Sequence, residues 1–107
     1  MTTFDKREDA FEAKFAHDEQ LRFKALARRD KMLGLWAAEK LGKTGSEAEA
    51  YAKEIVVAEF EEPGDDDVFR RIKADLAAAG VNQSDHQIRR TMDELMSLAL
   101  AQVEAGG

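Results

Sequence analysis

The sequence predicts an all-α fold, a four-helix bundle preceded by an N-terminal arm, and three observations carry that prediction. Apolar residues recur at helical spacing through four separate stretches. Gly42, Pro63-Gly64 and Gly80 stand between those stretches, and these are residues that stop helices. Hydrophobic residues at 44% and charged residues at 36%, with one proline, are the balance of a helical globular domain. A chain of 107 residues builds one core. Residues 20–107 are therefore expected as the bundle, and residues 1–19 as the arm.

The first bundle helix is predicted over residues 20–41. Phe23, Leu26, Leu33, Ala37 and Leu41 form its inward stripe, with Met32, Leu35 and Trp36 flanking it, and Trp36 is expected in the core. Gly42 follows as a left-handed cap. The second helix runs through "SEAEAYAKEIVVAEFEE", with Ala48, Tyr51, Ala52, Ile55, Val56 and Phe60 on its buried side and Pro63-Gly64 as its end. Thr44 with Glu47, or Ser46 with Glu49, has the spacing of a capping box at its start.

Asp65, Asp66 or Asp67 is expected to cap a short third helix reaching Ala79, with Phe69, Ile72 and Leu76 inward and Gly80 as its stop. The fourth begins at Ser84, whose spacing to Gln87 is again that of a capping box. Ile88, Met92, Leu95, Met96, Ala99 and Val103 make its apolar stripe. Short connections imply neighbours packed roughly antiparallel.

The arm differs from the bundle. Phe4, Phe11 and Phe15 share one face of a helix, yet Asp5/Asp9 and Glu8/Glu12 put like charges four residues apart. A segment this short is marginal as an isolated helix. It is expected to be mobile in the free protein and to become helical when its phenylalanines meet an apolar groove.

Charge and composition exclude several functions. The net charge of −6 opposes general nucleic-acid binding, and the acidic excess is confined to residues 41–67, which hold two basic residues against nine acidic ones. That stretch reads as a solvated acidic face. No cysteine is present, so disulfides and thiolate metal sites are excluded. The charged N-terminus lacks the apolar run of a secretory signal or membrane span, which points to action in the cytoplasm.

The short motifs fall to structural readings. "KLGKTGSE" contains the Gly-Lys-Thr that ends a phosphate-binding loop, but Ala37 stands where the first glycine belongs and a helix precedes it where a strand should. A helix C-terminus presents carbonyls to an anion. Weak ATP or ADP binding at Lys43 and Thr44, beside the start of the next helix, is the residual expectation. Ser84, Asp85 and His86 are consecutive and cannot converge as a hydrolase triad. Asp65–Asp67 lack the central glycine and terminal glutamate of a calcium loop. His17 and His86 have no ligand-like neighbours at metal spacing and are expected to be exposed. No catalytic constellation, cofactor or metal site is expected.

The segments "FEAKFAHDEQLRFKA" and "RRDKMLGLWAAEKLG", with weaker agreement through "FEEPGDDDVFRRI", resemble the zeta inhibitor subunits of alphaproteobacterial F-type ATP synthases. The resemblance extends over essentially the whole chain, most specifically its N-terminal half. Asp30 stands where that family's pattern suggests an amide, and Met32 where it suggests Leu. The resemblance implies a non-enzymatic inhibitor of ATP hydrolysis. Its N-terminal helix would insert into a catalytic interface of the synthase head, next to the central stalk, at the cytoplasmic face of the inner membrane. It also implies a nucleotide-binding tendency. Within the matching arm, Phe4, Arg7, Phe11, Lys14 and Phe15 are the expected contacts, chosen for apolar spacing and for pairing of Arg or Lys with carboxylates. A helical adaptor or chaperone-like binding module without ATPase inhibition is the alternative.

Overall fold

The computed structural model describes residues 3–61 and 65–106, with side chains from Glu19 onward. Four helices follow one another: α1 Thr3–Lys40, α2 Gly45–Glu61, α3 Asp65–Ala78 and α4 Asp85–Glu104. The expected four-helix architecture is present. α1 passes through residues 19 and 20 without a break. No glycine or proline occurs between Thr3 and Leu33, and the stretch is rich in Ala, Leu, Glu, Lys and Arg, so nothing local interrupts the helix there. The helical form of residues 3–19 is the one expected for the arm in its bound state.

α1 is the spine, packed chiefly against α2 and α4, with α3 closing the remaining side. Leu33, Ala37, Tyr51, Ile55, Val68, Ile72, Leu76, Ile88 and Met92 form the continuous core, and Trp36, Leu41, Ala48 and Leu95 pack against its margin. Trp36 is thus half-buried at the edge of the core, not at its centre. Gly34 is where α1 and α2 approach most closely. A Cβ added there would lie 2.6 Å from the Ala52 Cα and 3.1 Å from its Cβ, so the absent side chain is what admits the α2 backbone.

The helix ends follow their chemistry. Gly42, at φ +77°, donates to the Glu39 carbonyl at 3.1 Å while Lys43 donates to Ala38 at 2.9 Å, the paired bonds of a glycine-stopped helix. Gly80 repeats the arrangement after α3: its N–H donates to Ala77 and that of Val81 to Leu76. Ser84 caps α4, accepting from the Gln87 N–H at 3.1 Å, and the Gln87 side chain accepts from Ser84 N–H at 2.9 Å.

One alternative is resolved and three expectations change. Of the two candidate caps for α2, Thr44 precedes the helix and its carbonyl accepts from Glu47, whereas Ser46 lies inside it. Asp65, Asp66 and Asp67 are first-turn residues of α3, where carboxylates complement the positive helix end. Phe23 is 58% exposed and Phe60 45% exposed, although helical spacing predicts both inward. They stack on one another at 4.7 Å between centroids instead. α2 ends one residue beyond Phe60, and among the described residues no further layer covers the pair. The Pro63-Gly64 stop lies outside the described residues.

Among the described residues, no helix is long and apolar enough to cross a membrane.

Candidate functional site

Two regions bear on function: the beginning of α1 with the bundle end beside it, and a pair of ion clusters within the bundle. Phe4, Arg7, Phe11, Lys14 and Phe15 all lie on the helical backbone of α1, while their side chains lie outside those described. At 3.6 residues per turn these five positions fall within an arc of about 100° around the helix, so a single face carries the whole expected contact set.

The bundle ends near Leu21. Leu21 and Lys24 line a shallow cleft together with Val103 and Gly106 from the end of α4, and Phe60 in the last turn of α2 reaches Phe23. α2 and α4 therefore both finish level with residues 21–28 of α1, and the 64 Å length of the molecule reflects the long α1 rod. The cleft holds about 550 Å³. Leu21, Ala27 and Val103 supply its apolar lining, and Lys24, Arg28 and Lys31 place cations along it at successive turns of α1. Arg28 also donates to Gln102 at 3.5 Å. A cationic edge beside an exposed aromatic pair can meet carboxylates and apolar side chains of a protein partner.

Lys43 and Thr44 occupy the α1–α2 joint. The Lys43 ammonium lies 6.0 Å from the Tyr51 ring centroid and faces a cleft shared with Glu54, Arg71 and Asp75. Tyr51 donates to Asp75 at 2.7 Å, and Arg71 donates to Asp75 at 2.8 Å and to Glu54 at 3.0 Å. Burial, then the bond to Asp75, pushes the Tyr51 phenol above its ordinary value. An anion approaching Lys43 meets two carboxylates and an arginine already engaged with both.

No spacing in the sequence marks the other cluster as a unit. Arg29 and Asp30 on α1, 2% and 0% exposed, meet Glu59 of α2, 6% exposed. Arg29 Nε donates to Asp30 Oδ1 at 2.9 Å, and Nη2 donates to Glu59 Oε1 at 3.0 Å and to Asp65 Oδ1 of α3 at 2.9 Å. Burial pushes the Asp30 carboxyl up, overcoming the pull of Arg29. Burial and then the Asp30 charge push Glu59 up. Asp65 opens toward solvent, and its hydrogen bond from Arg29 holds it below its ordinary value. A sequence signal for Asp30 did exist. The inward stripe steps seven positions from Leu26 to Leu33, and Asp30 stands in that gap, four after Leu26 and three before Leu33.

The comparisons with known proteins fit this architecture. The family model of the ATPase inhibitor subunit zeta matches residues 1–102. The chain belongs to that family. Inhibition of an ATPase, a non-catalytic regulatory role and association with an ATP synthase follow for this zeta-family chain at that level. A protein whose solution NMR structure is known is similar to it at 45% identity and a TM-score of 0.70, covering 81% of this chain and 99% of its own. A comparison with curated proteins gives no match.

Proposed function

We propose that the chain inhibits ATP hydrolysis by an F-type synthase by inserting residues 1–19 into a catalytic interface of the head, next to the central stalk, while the bundle of residues 20–107 anchors the arm. The observation that carries this reading is the single α1 rod that continues past the ends of α2 and α4 with Phe4, Arg7, Phe11, Lys14 and Phe15 at positions on one face. Ordering such an arm costs roughly 2–5 kcal/mol, and burying three phenylalanines at roughly 1.5–3 kcal/mol each offsets it. The Phe23–Phe60 pair and the Lys24–Lys31 edge sit at the base of the arm, where a docked head can meet them. The inhibitor works on the cytoplasmic side, peripheral to the inner membrane when bound.

Deleting residues 1–19 should leave the bundle folded, with thermal unfolding near that of the full chain, and abolish inhibition of the purified synthase head. Full inhibition by the truncated chain would instead favour an adaptor that acts through the bundle surface. Phe11→Ala with Phe15→Ala should weaken inhibition with little effect on melting.

Weak ATP or ADP binding at Lys43 is a subsidiary reading, favoured by the position of Lys43 beside the α2 start and against the Tyr51 ring. Nucleotide-induced NMR shifts should disappear in Lys43→Ala; unchanged shifts would refute it.

A further inference from the structure

Arg29, Asp30, Glu59 and Asp65 bring one cation against three carboxylates where α1, α2 and α3 meet. Fully ionised, the four groups carry a net charge of −2, with Asp30, Glu59 and Arg29 almost wholly withdrawn from water. Such a set is costly unless charge is neutralised or every oxygen is satisfied. One is not: among the described residues, Asp30 Oδ2 is buried without a hydrogen-bond partner. Glu59 and Asp30 are held by the same Arg29 guanidinium. A proton placed on either carboxyl answers both problems, since it removes one negative charge and supplies the donor that a pair of carboxylates lacks.

We propose that Asp30 and Glu59, closed around the Arg29 guanidinium inside this corner, form a proton-binding site whose occupancy sets how firmly the α2–α3 corner is held on α1. Arg29 fixes the site by reaching all three carboxylates. Asp65, the most exposed member, stays ionised and keeps the guanidinium anchored to the start of α3. Among the described residues, the other charges nearby act elsewhere. Arg22 of α1 acts on Asp65, and Arg89 of α4 is bonded at 2.8 Å to Asp66. When the proton leaves, two buried carboxylates repel across the α1–α2 contact with one guanidinium between them and Asp65.

The direction of the pH effect follows from the geometry and agrees with the individual groups. Burial, and for Glu59 the Asp30 charge, raise the titrations of the pair to about 6 and about 7, so the folded chain holds a proton that the unfolded chain releases nearer pH 4. Stability from this pair is fully present below the unfolded values and is lost as pH rises toward and through about 7. Asp65 has the opposite sign, and its contribution is lost as pH falls through its lowered value.

Two measurements on the full chain test the proposal. Carboxyl 13C NMR of the wild-type protein should place at least one titration of Asp30 or Glu59 above pH 5.5. Urea unfolding between pH 5 and pH 8 should show the unfolding constant rising at least tenfold, since one proton held only by the folded state gives up to tenfold per pH unit. Asp30→Asn should flatten that rise and move the Glu59 midpoint down, and Glu59→Gln should flatten it as well. Both carboxyls titrating below pH 5 in the wild type would overturn the proposal, whether or not the variants fold. So would variants that fold and keep the wild-type slope.

Discussion

Two arginines in this bundle do the same task in different surroundings. Arg29 and Arg71 each bridge carboxylates from more than one helix, with contacts of 2.8–3.0 Å in both cases. Arg29 does so almost wholly buried, whereas the Arg71 side chain is 39% exposed and its partner Glu54 lies in solvent. Water screens the second cluster and supplies hydrogen bonds to whatever its members leave unmet. In the first, Arg29, Asp30 and Glu59 are buried, and Asp65 is the member that meets water. Equal contact lengths thus conceal unequal dependence, because removing one member from the dry cluster leaves charges with nowhere to go.

Mutagenesis can break this comparison at its strongest point first. Arg29→Ala strands Asp30 and Glu59 and should destabilise the bundle by about 3–5 kcal/mol near neutral pH, measured by urea unfolding. Part of the loss should be recovered below pH 6, where the stranded carboxyls take up protons. Arg29→Lys should recover little, because an ammonium lacks the planar fork that reaches three carboxylates together.

Tyr51→Phe tests the wetter cluster at its most buried atom. It deletes the bond to Asp75 while leaving the ring in the core, for an expected loss of about 0.5–1.5 kcal/mol. Arg71→Ala should be smallest, within about 1 kcal/mol and diminishing further in high salt. If Arg71→Ala cost as much as Arg29→Ala, burial would not be what separates the two clusters.

The same contrast explains what could be read in advance. Helix stops and starts depend on neighbours in sequence, so Gly42, Gly80 and the Ser84–Gln87 box were legible from spacing alone. The positions of Phe4, Phe11 and Phe15 on one helical face were legible for the same reason. Phe23 was not, because its exposure depends on where α2 happens to end, a fact of packing. The Arg29 cluster escaped because its members come from positions 29, 30, 59 and 65, and a charged residue in a helix pattern ordinarily marks the wet side. The Lys43 segment joins a helix end to a helix start, as its flanking residues predict. The carboxylates around it come from α2 and α3, which the motif alone could not reveal.

Gly34 gives the bundle a mechanical character as well as a tight seam. With no side chain between the backbones at Gly34 and Ala52, the two helices meet at a fulcrum. Glu59 lies seven residues farther along α2, a lever arm of about 10 Å. Sliding α2 along α1 would drive Ala52 into the bulkier neighbours of Gly34, whereas tilting about that point needs no such collision. A change of charge at Glu59 would act at the far end of that lever, one residue before Phe60.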